Sequence, residues 1–129
     1  MNRLVLEINQ GCPRGFAFTA NQRVYDSEQN EWVEQPINLK GMKIMLQVKP
    51  SPYYSVRPFI EKIISEEDSA NGFITDATAG QFQFQFSMED TLKLPPAEYP
   101  MLIYMINQDT YTNIGGDGNN NPIFRVCHQ

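Results

Sequence analysis

Polar and apolar residues alternate in short runs along this chain. The clearest is QFQFQF, residues 81–86, where Phe82, Phe84 and Phe86 take turns with Gln81, Gln83 and Gln85. Side chains on a β-strand point alternately to opposite faces, so such a run puts three rings on one side and three amides on the other. A helix would scatter the rings around its circumference. Strict alternation predicts a half-buried antiparallel strand, and Gly80 is a natural turn residue at its start.

The pattern recurs in RLVLEI (3–8), GFAFTA (15–20) and MKIMLQVK (42–49), which places Ile44, Leu46 and Val48 together opposite Lys43, Met45 and Gln47. GFITD (72–76) and PIFRVCH (122–128) read as further strands, whereas FIEKII (59–64) fits either a strand or a helix. YPMLIYMI (99–106) is bulky on both sides, with Met101, Ile103 and Met105 on one and Leu102, Tyr104 and Ile106 on the other. It predicts a central strand or one whose outer face is covered. Because large exposed apolar patches are rare on lone domains, that outer face calls for a loop, a second copy or another protein.

Polar and Gly/Pro-rich stretches separate the runs: YDSEQNE, KPSPYYSVRP, EEDSANG, LPPAE and GGDGNNNP. One short helical turn is expected near 88–94, with Ser87 as N-cap, Glu89 and Asp90 in its first turn, and Pro95 and Pro96 as its stop. Seven to eight short strands joined by polar turns predict an all-β fold, an antiparallel β-sandwich or small barrel, with residues 1–129 forming a single domain.

Composition narrows the function. The 129 residues are enough for a core without disulfides or metals, and a net charge of -5 opposes nucleic-acid binding and docking on an anionic membrane. No stretch is long and apolar enough to span a bilayer, and the N-terminal MNRLVLEINQG lacks the features of a secretory signal. Synthesis in a cytosol is expected. Cys12 and Cys127 are too few for a disulfide framework; they could pair if the terminal strands are neighbours, but a cytosol favours thiols.

Candidate chemistry is thin. His128, the single histidine, stands beside the C-terminus, a poor place for a catalytic base. With Cys12 and Cys127 it would still leave a zinc site one ligand short. The loop around Asp117 has neither the lysine of a phosphate loop nor the ligand spacing of a calcium loop. Glu66, Glu67 and Asp68 read as a solvated turn, with no second carboxylate placed opposite them for glycoside hydrolysis. No enzyme activity, cofactor or metal is expected. Trp32, Tyr53 and Tyr54 stand out as aromatics outside the strands, suited either to capping the domain or to anchoring an interface. Gln81, Gln83 and Gln85 offer uncharged hydrogen-bonding groups to a neighbour, and Met101 and Met105 adaptable apolar ones.

The order of segments from Pro36 to Ile106 resembles a family. PINLKG (36–41) leads into a strand ending in a basic residue, with Asn38 and Lys40 where the family pattern has Asp and Thr. Gly80 opens the alternating strand; Thr91, Leu94 and a Tyr99 that starts a long strand follow. This is similar to the small β-sandwich domain of tailed-bacteriophage virion proteins typified by the N-terminal domain of siphophage baseplate upper proteins. The resemblance implies an immunoglobulin-like sandwich without catalytic residues that attaches to other virion proteins. In baseplate proteins the domain anchors a longer region; a chain that stops soon after it suggests a decoration or cement protein on the capsid. The alternatives are a tail or baseplate adaptor and a carbohydrate-binding module using Trp32, Tyr53 and Tyr54. The expected partners are major capsid or tail proteins and further copies of the chain in a homo-oligomer, with no nucleic acid and no membrane.

Overall fold

The computed structural model describes residues 4–50, 57–115 and 122–128. Within them the chain forms β1 (Val5–Asn9), β2 (Arg14–Thr19), β3 (Asn21–Asp26), β4 (Glu31–Pro36), β5 (Lys43–Val48), β6 (Ile60–Ile64), β7 (Gly72–Asp76) and β8 (Gln81–Phe86). After these come the short helix α1 (Met88–Leu92), then β9 (Ala97–Asn107), β10 (Thr110–Asn113) and β11 (Ile123–Cys127). The fold is all-β. Eleven strands replace the seven or eight expected, because β3, β4 and β10 carry no alternating apolar pattern. FIEKII resolves as a strand.

The strands form three sheets. The largest runs β1-β11-β9-β5-β6, with β10 also on β9; β2-β8-β7 form the second, and β3-β4 a separate hairpin. All pairs are antiparallel except β1 with β11, which is parallel, a departure from the purely antiparallel expectation. Alternation reports which face a residue takes and is blind to strand direction, so it could not have signalled this pair.

The inner faces of the two larger sheets meet in one hydrophobic cluster. Phe82, Phe84 and Phe86 from β8 join Ile44, Leu46 and Val48 from β5, as the alternation predicts, together with Leu6, Ile8, Met101, Ile103, Phe124 and Val126. Phe86 packs against Phe124 across the gap between sheets, ring centroids 5.1 Å apart. Phe18 stacks on Phe82 at 5.1 Å and meets Phe84 edge-on at 6.1 Å. Full burial of each such ring contributes roughly 2 kcal/mol or more.

Helix α1 begins where predicted. Ser87 is extended and donates its backbone N–H to Asp90 Oδ2 at 2.7 Å. Thr91 is fully buried and accepts a hydrogen bond from the Gly11 N–H at 2.9 Å, tying the helix to the β1–β2 connection. Lys62 points inward between Ile60 and Ile64, only 8 % exposed. Its charge is met by Asp90 at 2.9 Å, and its Nζ lies 5.4 Å from the Phe86 ring centroid. A charge at an inward position is tolerable only with such a partner.

Candidate functional site

The chemistry of this chain lies on its surfaces, which present three distinct faces. The first is the β3–β4 hairpin. Its strands pair in register from Asn21↔Pro36 to Asp26↔Glu31 and make no substantial contact with any other strand. The hairpin is tied at its base, where Ala20 N–H donates to Gly80 O at 2.8 Å and Ile37 N–H to Ala20 O at 2.9 Å. Gly80 has a φ of +70°, and a Cβ there would lie 2.5 Å from the Ala20 oxygen, so the junction requires glycine. At the far end Asn30, φ +55°, supplies the left-handed residue of the turn, a conformation asparagine tolerates. Among the described strands the hairpin is therefore an arm, fixed at one end and paired with neither larger sheet.

Tyr25 and Trp32 sit directly opposite each other on one face of this arm, ring centroids 5.5 Å apart at 65°. Trp32 is 60 % exposed and Tyr25 48 %. Arg23 lies on the same face, its guanidinium 6.0 Å from the Trp32 centroid. Only Val24 and Val33, on the opposite face, are half-buried along with Asp26. The arm carries one cation, Arg23, against Asp26, Glu28, Glu31 and Glu34, a net charge of -3 out of the chain's -5.

The second face is the outer side of β2-β8-β7. Gln81 and Gln85 are exposed and Gln83 half-buried, in register with Thr19, Gly15 and Ala17. A Cβ on Gly15 would lie 2.7 Å from the side-chain amides of both Gln83 and Gln85. The glutamines thus fold over their small neighbours, and with Phe73, 40 % exposed beside Gln83, they make an uncharged surface.

The third face is the outer side of the large sheet. The register Met45↔Tyr104, Gln47↔Leu102 and Lys43↔Ile106 sets these residues outward, while Leu46↔Ile103 and Val48↔Met101 face in. Ile63 and Tyr111 join the outward set across β6 and β10. Two adjoining cavities of about 310 and 290 Å³ open there, both lined by Tyr111; one adds Met45, Gln47, Lys49 and Tyr104, the other Lys43, Ile63 and Ile106. Farther along the sheet, Arg125 bridges Glu7 and Glu98. The hydrogen bonds it donates, to Glu7 first and Glu98 second, raise its pKa above the ordinary arginine value.

Of the interface candidates, Trp32 and the three glutamines are surface residues. Tyr53 and Tyr54 lie outside the described residues. Met101 is fully buried, and Met105 is half-buried against the core, because β5 pairs β9 in the register that turns both inward. They are core residues, and the available side of β9 is that of Tyr104 and Ile106. Sequence reasoning passed over Tyr25, Phe73 and Tyr111. Tyr25 was recoverable: the turn in YDSEQNEW places it opposite Trp32.

Among the described residues no three His, Cys, Asp or Glu side chains gather as metal ligands, and no helix is long and apolar enough to cross a membrane. Cys12 and Cys127 are not joined in a disulfide, although β1 and β11 are neighbours. No protein-family model matches this chain, and no curated protein matches it either.

Proposed function

We propose that this is a non-enzymatic structural protein of a tailed-bacteriophage virion, with an immunoglobulin-like sandwich fold, serving in capsid decoration. The observation that carries the reading is the arm: an exposed aromatic pair on a hairpin held at one end adds little to folding and much to attachment. Tryptophan and tyrosine bring large contact area at low entropy cost, which is what an interface anchor needs.

The residues of the family resemblance each have a structural task here. Tyr99, third residue of β9, donates its hydroxyl to Pro95 O at 2.6 Å, like the tyrosine of immunoglobulin-like sandwiches that bonds back to nearby upstream backbone. Asn38 Oδ1 accepts the Lys40 N–H at 3.0 Å, a turn that the family's Asp would make equally well. Leu39 is fully buried in that turn, and Thr91 within α1 and Leu94 just after it are buried as well. In this reading the protein is made in the bacterial host cytoplasm, needs no cofactor, and works in the virion beside major capsid or tail proteins.

A glycan-binding reading is less well served. A sugar platform needs coplanar rings, and Tyr25 stands at 65° to Trp32. The test is mass spectrometry and immunogold labelling of phage particles purified from the host that carries the gene, with heads and tails separated. Label on heads is expected; label on tails alone selects the adaptor role, and a protein missing from purified particles overturns the virion reading.

A further inference from the structure

The connection from β6, in the large sheet, to β7, in the second sheet, ends in the dipeptide Asn71–Gly72, and no other asparagine of the chain precedes a glycine. Such a pair is reactive. The backbone nitrogen of the second residue can attack the side-chain amide carbon of the first, and glycine offers no side chain to hinder the approach. The local structure leaves this route open. Asn71 is half-buried in a bend just outside β7, and Ser69 and Ala70 before it are exposed. Its side-chain amide donates to Ile63 O over a long 3.4 Å. The Gln85 N–H donates to Asn71 O at 2.9 Å, so these two residues form a hydrogen-bonded pair and the next pair, Gly72 with Phe84, is a non-hydrogen-bonded one. The attacking Gly72 nitrogen therefore points away from β8 and is not held by its ladder.

We propose that Asn71 is a site of spontaneous modification, converting through a succinimide to isoaspartate and loosening the joint between the two larger sheets as the protein ages. The Gly72 nitrogen bonds to Asn71 Cγ and gives up its proton, and Asn71 Nδ2 leaves as ammonia. Water then opens the ring. Attack at Cγ yields aspartate; attack at the backbone carbonyl carbon yields isoaspartate, whose main chain runs on through the former side chain. The only co-reactant is water. In either product the donating NH2 group is gone, so the contact with Ile63 O is lost. Either product also adds a carboxylate at the end of a turn that already carries Glu66, Glu67 and Asp68. Isoaspartate goes further, because it takes the carbonyl that accepts the Gln85 N–H out of the main chain and inserts an extra carbon before Gly72. There is no slack at that point: a Cβ on Gly72 would lie 2.1 Å from Gln83 O. The first pairs of β7 with β8 are therefore the ones to open. Nothing in this chemistry depends on where the protein works.

Prolonged incubation of the purified, folded protein at mildly alkaline pH tests it, followed by peptide mass spectrometry. The reading is the mass gain of an NH2-to-OH exchange at residue 71, and labelling by a protein isoaspartyl methyltransferase separates isoaspartate from aspartate. Asn71 should convert ahead of every other asparagine, with isoaspartate the major product. Its rate should lie within roughly tenfold of that in the same protein unfolded in urea, because a bend beside an exposed turn opens locally at little cost. The converted fraction, separated by ion exchange on its extra charge, should melt below the fresh protein, and its β7 amides should exchange faster with deuterium. Asn71→Gln, whose longer side chain would have to close a larger ring, should melt like fresh wild type and stay unchanged through the same incubation. Asn71 that stays intact in the folded protein while it converts in urea overturns the proposal. So does a converted fraction as stable as fresh protein, or an Asn71→Gln protein that loses stability on incubation as fast as the wild type.

Discussion

Replacing Phe84 by Ala perturbs the core at its centre. The ring is fully buried and meets two others edge-on, Phe82 at 5.9 Å and Phe18 at 6.1 Å. Its removal forfeits the transfer free energy of the ring and leaves a cavity that neighbours from two sheets cannot fill without shifting both. The two contributions together cost about 3–5 kcal/mol. Against a total stability of roughly 5–15 kcal/mol, that is about a fifth or more of what holds the domain folded. For a chain of this size the melting temperature should fall by about 10–20 °C. Gln81→Ala, on the same strand but pointing outward, is the control and should stay within about 0.5 kcal/mol of wild type. Urea unfolding followed by circular dichroism gives both numbers under identical conditions. A Phe84→Ala protein as stable as the Gln81→Ala control would refute the assignment of β8 to the core, and the two-sheet arrangement with it.

Further outcomes follow from the buried ion pair, the arm's base and the arm itself. Asp90→Ala strands the Lys62 charge and removes the acceptor at Ser87, and should cost about 2–4 kcal/mol, somewhat below the fully buried range because the Asp90 side chain keeps 20 % exposure. Lys62→Met should stay within about 1 kcal/mol of wild type in the same urea titration; equal losses from the two changes would contradict this account. Gly80→Ala, at φ +70° with backbone oxygens in the way, should destabilise by more than about 1 kcal/mol and make the arm more susceptible to limited proteolysis. Amides of β3 and β4 should exchange with deuterium far faster than those of β5 and β9 in dilute protein, measured by mass spectrometry of peptides.

Where burial is one-sided, the chain announces its structure. Phe82, Phe84 and Phe86, or Ile44, Leu46 and Val48, can share a face only on a strand, and Ser87 with Asp90 marks the start of a helix through local backbone chemistry. The pattern fails where neither face is buried. β3 and β4 half-bury only Val24, Val33 and Asp26, and all four residues of β10 are exposed, so no apolar period betrays them. It also fails where both faces are apolar. In β9 the methionine side and the Tyr104 side are alike in hydrophobicity, and only the register with β5 decides between them. Lys62 blurs the alternation of β6, because its partner Asp90 arrives from a distant segment of the chain. The exposure of Trp32 was suggested by its polar surroundings, whereas the groove of Met45, Tyr104 and Tyr111 needs three strands to be in place before it exists.

The energetics of the arm bear on the proposed role in attachment. Ordering the backbone of β3 and β4, six residues each, costs roughly 1–2 kcal/mol per residue. Little in the monomer offsets this. Two valines are half-buried, and the Tyr25–Trp32 pair adds about 0.5–1.5 kcal/mol at best. Cross-strand hydrogen bonds replace bonds to water and contribute modestly. A two-stranded ribbon on these terms is near the limit of stability in water. The body behaves otherwise: both of its larger sheets bury one face in a shared core, and of its three buried polar residues among those described, Lys49, Lys62 and Thr91, the last two are matched by Asp90 and the Gly11 N–H. Stability thus resides in the body, and the arm's exposed rings gain most of their free energy only when a partner covers them. Changes to Tyr25 and Trp32 should accordingly leave folding intact and alter association, the opposite of changes to Phe84.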